Sequence, residues 1–372
     1  MMNFLIRADA SFDIGSGHIM RCLTLANALK KEAHQVHFIC RNLPGNLIDT
    51  IQKAGFDCTV LATNTIDKLQ NNTEKFQLAH ADWLPVSQQQ DITDCKAIIR
   101  QLKPDWIIVD HYALSKPWQK QAKLYFSCKI MVIDDLADRL HDADLLLDQN
   151  LGRSEVDYQK LLPSHCQMLL GPRYALLRPE FRQWRTYSLH RRSSHTYQHN
   201  NILVNFGGVD KSNHTLTILK ILTEVYSDLI PPFSVTVVMG TTAPHIERIK
   251  NYAEQAPYPC RILVNIQNIA EVMSHADLAI GAAGSTSWER CCLGLPTLVL
   301  VLAENQNEIA LQLQNKGVAI YLYGDKINGS YFKKLINANQ HNIVWQSMGK
   351  KASRLVDGLG AYRVVHTIFK MK

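Results

Sequence analysis

Short β-rich runs alternate with stretches of helical period along almost the whole chain, and each run ends in a polar cluster. The runs are residues 4–8, 35–40, 106–110, 129–134 and 145–147, then 202–206, 234–239, 261–265, 278–281, 297–302 and 319–323. Between them apolar residues recur at helical spacing, as Ile19, Cys22, Leu23, Ala26 and Leu29 do. Strand–helix alternation of this kind predicts parallel sheets joined by right-handed crossovers. In such sheets ligands bind beyond the carboxyl ends of the strands, which is where the polar clusters of this chain fall.

The chain has 372 residues, so two domains are expected. We expect a first α/β domain over 1–181 and a linker over 182–200, where the rhythm gives way to Arg, His, Ser and Tyr. A second α/β domain follows over 201–372, its final helix free to pack back on the first. Hydrophobic residues at 46% and charged residues at 20% suit a folded protein and argue against disorder. The longest apolar stretches, such as 296–303, are too short to span a bilayer, and the N-terminus reads straight into a strand, so no membrane association is expected. Nine cysteines, an odd number without CxxC spacing, suggest free thiols in a reducing, cytoplasmic compartment. The net charge of +7 lacks a basic stripe with interleaved aromatics, which argues against nucleic acid and suits a diphosphate ligand.

The most informative cluster joins the first strand to the first helix: Asp9-Ala10-Ser11-Phe12-Asp13-Ile14-Gly15-Ser16-Gly17-His18. Gly15 and Gly17 permit a tight turn and close approach of a ligand to the backbone. His18 falls in the first helical turn, where the positive end of the helix dipole disfavours imidazolium. A neutral imidazole can accept a proton from water. The competing reading makes His18 a cap or a filler; its place after a Gly-x-Gly turn at a strand end favours chemistry. The spacing is not that of the dinucleotide fingerprint.

Three clusters in the second half suit a nucleotide. Asn205-Phe206-Gly207-Gly208-Val209-Asp210 leaves room for phosphate against bare amides, or is a plain turn. Gly281-Ala282-Ala283-Gly284-Ser285-Thr286-Ser287-Trp288-Glu289 offers amides, the Ser285 and Thr286 hydroxyls and a carboxylate, Glu289, able to accept both ribose hydroxyls. Helix capping by Ser285 and Glu289 is the alternative. Glu304-Asn305-Gln306-Asn307 follows another strand and is either a ligand loop or an ordinary helix start. Asp110-His111-Tyr112 and Asp134-Asp135 end strands in the first half. The adjacent Asp134 and Asp135 need not converge on a metal, and a structural or substrate-hydroxyl role is preferred for them. HExxH, GxSxG and P-loop motifs are absent.

The opening segment, residues 6–11 and 14–23, resembles that of the pseudaminic acid biosynthesis hydrolases, which cleave UDP-2,4-diacetamido-2,4,6-trideoxy-β-L-altropyranose. Residues 170–178, 205–210, 284–289 and 304–306 resemble the same family in the same order, and the glycine-rich part is shared with MurG-like UDP-sugar glycosyltransferases. The resemblance implies a GT-B-like fold, two Rossmann-like parallel-sheet domains facing across a cleft, with UDP held mainly by the second. It implies inverting hydrolysis at the anomeric carbon without metal or cofactor, water activated by His18, ribose held by Glu289 and a sugar or diphosphate contact from Asn305. The full set of expected substrate contacts is Asp9, Gly15, Gly17, Arg21, Gly207, Gly208, Gly284, Ser285, Thr286, Glu289, Asn305 and Gln306. The expected partner is the small-molecule UDP-sugar alone, bound by a monomer. The competing functions are a GT-B glycosyltransferase with a UDP-sugar donor, a non-catalytic nucleotide-sugar binder and, more distantly, a hydrolysing 2-epimerase.

Overall fold

The computed structural model describes residues 1–63, 78–193, 200–228, 233–302, 306–322, 328–338 and 343–371. The chain divides into two compact units, Met1–Leu176 with Gly360–Lys372, and Leu177–Leu359.

The first unit is built on seven parallel strands: β1 (Asn3–Ala8), β2 (Gln35–Arg41), β3 (Asp57–Leu61), β4 (Trp106–Asp110), β5 (Lys129–Ile133), β6 (Leu145–Asp148) and β7 (Gln167–Leu170). Their order is β3-β2-β1-β4-β5-β6-β7. Leu5 of β1 lies opposite His37 of β2 on one side and Ile107 of β4 on the other. Buried on both faces, the central strands are nearly all apolar, and β4 is buried throughout. Helices α1 (Gly17–Lys31), α2 (Ile48–Lys53), α3 (Gln88–Leu102), α4 (Lys116–Tyr125) and the short α5 (Glu155–Tyr158) connect them. The period-2 alternation divides the core. Phe4, Ile6 and Ile108 meet Ile19, Cys22 and Ala26 of α1, while Leu5, Ile107 and Val109 meet Ile92 and Ile99 of α3.

The second unit starts with α6 (Pro179–Ser193), followed by β8 (Asn201–Asn205), α7 (His214–Val225), β9 (Ser234–Met239), α8 (Ile246–Gln255) and β10 (Cys260–Val264). It continues through α9 (Ile269–His275), β11 (Leu278–Ala282), α10 (Thr286–Cys292), β12 (Thr297–Leu300), α11 (Asn307–Asn315), β13 (Ile320–Leu322), α12 (Gly329–Ala338) and α13 (Ile343–Leu355). Its sheet is again parallel, in the order β10-β9-β8-β11-β12-β13. The last helix, α14 (Gly360–Lys370), belongs to the first unit, where Val364, Val365 and Ile368 are buried beside α1.

Of the stretch expected as a linker, 182–200, the residues 182–193 are instead helical and part of the second unit, while 194–199 lie outside the described residues. Its arginines explain why it reads as loop. Arg185 donates to the carbonyls of Cys292, Ser353 and Val356, and Arg192 to those of Met273 and Ala276, so these two arginines, which break the apolar rhythm, are turned into the protein. No described helix is long and apolar enough to cross a membrane.

In each sheet the strand order reverses once, between β1 and β4 in the first unit and between β8 and β11 in the second. The loops leaving those strands diverge to opposite faces and leave a crevice, which is where open α/β sheets bind ligands.

Candidate active site

The loop leaving β1 is shaped by its own polar atoms. The Ser11 hydroxyl accepts from the amides of Asp13 and Ile14, and the Gly15 amide donates to the Ser11 carbonyl at 2.8 Å. Gly15 turns the chain with φ +79°, a left-handed conformation that a side chain disfavours. Helix α1 therefore starts at once, and His18 stands in its first turn, 7% exposed.

The imidazole meets the end of β4. His18 Nδ1 lies 2.6 Å from Asp110 Oδ1. An ionised carboxylate only accepts hydrogen bonds, so Nδ1 is the donor in this pair. Burial alone would raise the Asp110 pKa, but Arg21 and His18 outweigh it and hold the carboxyl well below the usual range. Arg21 grips both Asp110 oxygens, through Nε and a terminal nitrogen at 2.7 Å each, and passes its other terminal nitrogen to Asp135 at 2.5 Å. The Cys22 thiol adds a weaker donor to Asp110 at 3.4 Å. Asp135 also accepts from the Tyr112 hydroxyl and from Asn150. Burial raises the Tyr112 pKa, so its hydroxyl stays a donor. The Tyr112 ring stands edge-on to His18 at 4.7 Å, and Trp83 lies 5.7 Å from His18 while stacking on Tyr112. His80 tilts against Trp83 at 4.4 Å.

Arg21 and Asp9, both expected to meet substrate, are turned inward. Arg21 is buried and its guanidinium is consumed by Asp110 and Asp135. Asp9 is fully buried, accepts from Arg7 and the Arg41 amide at 2.7 Å each, and has His111 Nε2 at 3.3 Å. Arg7 and Arg41 converge in turn on Asp91, which also accepts from the Trp118 indole N–H. This second network lies on the α3 face of the sheet. Asp110 and His111 are neighbours at the end of a strand and so point to opposite faces, one to the candidate base and the other to the scaffold beneath it. Asp134 and Asp135 diverge in the same way. Asp134, held at a pKa of about 2 against burial by Arg139 and His141, binds Arg139, the Ala137 amide and Tyr158, while Asp135 joins Arg21.

In the second unit the glycines open space. Gly207 has φ +85°, and a Cβ on Gly207 or Gly208 would meet no atom within 4 Å. On Gly284 it would meet only the Gln306 amide, at 3.9 Å. The Gln306 side chain is held within its own segment by accepting from the Leu302 amide at 3.0 Å. Gly281 differs: a Cβ there would strike the Asn205 carbonyl and the Arg290 guanidinium, so it is small because two strands and a buried arginine crowd it. Ser285 precedes α10 but makes no side-chain cap bond, which leaves its exposed hydroxyl available, with Thr286 beside it. Asp210 caps α7, accepting from the amides of His214 and Thr215, and so belongs to the framework of its loop. Glu289 is half-buried, its side chain 19% exposed, with Arg178 at 4.0 Å through the same guanidinium nitrogen that pairs with Glu180 at 3.0 Å. Burial lifts its pKa to about 7 despite Arg178. Asn305 and Glu304 lie outside the described residues.

The sequence reading missed the Asp110 partnership and the aromatic wall of Trp83 and His80. Asp110 was legible in principle, because β4 borders β1 where the strand order reverses. Trp83 sits in a single turn at Ala81–Trp83, with no periodicity to mark it.

Two doubly wound parallel sheets, each with an open loop cluster where its strand order reverses, define a GT-B-type protein, and residues 209–359 match the glycosyltransferase family 28 C-terminal domain. The structure resembles MurG of Acinetobacter baumannii with a TM-score of 0.70 at 15% identity, over 99% of each chain. Among curated proteins the chain is 27% identical to the UDP-2,4-diacetamido-2,4,6-trideoxy-β-L-altropyranose hydrolase of Campylobacter jejuni, over 86% of this chain and 98% of that one. It is also 24% identical to the spore coat polysaccharide biosynthesis protein SpsG of Bacillus subtilis, over 98% of this chain and 96% of that one. The resemblance read from the opening motif thus extends along the chain, and the structural likeness shows the GT-B fold.

Proposed function

We propose that this protein hydrolyses a UDP-sugar at its anomeric carbon, with inversion and without a metal, releasing UDP and the free sugar. The name of the Campylobacter relative supports UDP-2,4-diacetamido-2,4,6-trideoxy-β-L-altropyranose as substrate. The observation that carries the reading is the His18–Asp110 contact at 2.6 Å, which engages Nδ1 and so makes Nε2 the ring nitrogen proposed to act as base beside an aromatic wall.

In this reading Nε2 of His18 takes a proton from water as the water oxygen bonds to the anomeric carbon, and the bond to the diphosphate oxygen breaks on the opposite side. Asp110 stabilises the imidazolium that forms. UDP leaves as an anion and needs less protonation than an ordinary alcohol leaving group. Backbone amides near Gly207, Gly208 and Gly284, with the Ser285 and Thr286 hydroxyls, stabilise the diphosphate charge, and Glu289 accepts from the ribose. Gly15 and Gly17 keep the approach to His18 open.

The test incubates EDTA-treated protein with that UDP-sugar in ¹⁸O-labelled water and reads both products by mass spectrometry. Labelled free sugar with unlabelled UDP is expected. The match to a glycosyltransferase domain makes sugar transfer the second reading. Absence of UDP release without an acceptor hydroxyl, despite tight UDP binding, overturns hydrolysis in its favour.

A further inference from the structure

The groups around His18 close on themselves. Asp110 at the end of β4 holds Nδ1, and Arg21, one turn along α1 from His18, holds Asp110. Asp135, after β5, holds Arg21 and accepts from Tyr112, whose ring lies against the imidazole. Trp83 touches the imidazole from the turn at 81–83, and His80 stands behind it against Trp83 and Tyr112. Cys22 reaches the site only through Asp110.

We propose that Arg21 is a positioning residue: clamped between Asp110 and Asp135, it keeps His18 neutral, with Nε2 free of its proton. The inference rests on the reading of His18 as the base, but its physical content does not depend on turnover. A lone buried Asp110 would draw a second proton onto His18, because imidazolium would then be its main counter-charge. Arg21 supplies that charge in a bidentate geometry, which lysine cannot reproduce. Its terminal nitrogen is also 3.4 Å from Nδ1 and cannot act as an acceptor, which forbids any arrangement in which Arg21 takes the imidazole proton. Asp135 tempers the clamp by sharing the guanidinium.

The experiment follows the His18 ring titration by NMR in the full chain without substrate, with His18→Asn identifying its signal among the 15 histidines. Arg21→Gln is expected to raise the His18 midpoint by about one pH unit or more. Asp135→Asn is expected to lower it, because Arg21 then turns wholly to Asp110. Arg21→Lys, which restores the charge without the bidentate grip, should bring the midpoint only part of the way back to the wild-type value. Were UDP-sugar hydrolysis active, the acid limb of kcat/KM would move with each midpoint. Midpoints unmoved in Asp135→Asn and Arg21→Gln, or displaced in the same direction by both, overturn the proposal. Should Arg21→Gln not fold, an unmoved or raised midpoint in Asp135→Asn alone overturns it. A protein that titrates as expected but releases no UDP overturns the hydrolase reading and leaves the role of Arg21 intact.

Discussion

His18 Nδ1 stands 2.6 Å from Asp110 Oδ1, the shortest route by which the first helix of the chain touches the fourth strand's carboxyl end. An amide in place of that carboxylate would offer the imidazole a donor as well as an acceptor, and the proton could move to Nε2. Asp110→Asn is therefore expected to lower kcat by about 10²-fold or more while leaving UDP affinity near wild type. Steady-state kinetics with calorimetry of UDP binding checks the split; equal losses in both would assign Asp110 to the fold rather than to the base.

Removing the imidazole separates catalysis from binding. His18→Asn and His18→Ala should nearly abolish turnover with UDP affinity retained. A variant with wild-type kcat would remove His18 as the base.

Glu289 sets stability against binding. Its pKa in the folded chain is about 7, raised mainly by burial, so the folded state holds a proton there that the unfolded chain releases at lower pH. The stability from this group is present in acid, below the ordinary carboxyl range, and is lost as pH rises through about 7. Glu289→Gln should raise Tm relative to wild type at pH 8, with the gain shrinking toward pH 5, and should weaken UDP binding. Thermal unfolding across pH, alongside calorimetry, reads both effects; unchanged UDP affinity would take Glu289 out of the site.

The network beneath the site is structural. Asp91 is fully buried and is the common acceptor for Arg7, Arg41 and Trp118. Asp91→Ala leaves two buried guanidinium groups short of a counter-charge and should destabilise the fold by about 3–5 kcal/mol. Chemical denaturation tests this, and a change within the range of ordinary surface substitutions would mean that water or Asp94 replaces the lost contacts.

Much of this architecture is legible in the residues because parallel sheets write themselves as apolar runs ending in polar loops. The strand of 106–110 and the glycine turn before His18 stand where expected for that reason. What escaped were relations across sequence distance. Asp9 looks like a ligand contact beside Gly15 and Gly17, yet pleat alternation sends it to the opposite face, toward His111. Arg21 carries no local mark that its partners lie 89 and 114 residues away. The helix at Pro179–Ser193 reads as loop because its arginines satisfy backbone carbonyls instead of water.

Helix α14 gives the chain an unusual order of assembly. The second unit is inserted into the first, which receives its last buried side chains, Val364, Val365 and Ile368, from the final helix. A ribosome making this protein finishes the inserted unit before it supplies the piece that seals the first. Any nick or premature stop just after Leu359 would then leave the distal half whole and expose the core under α1, the helix that carries His18.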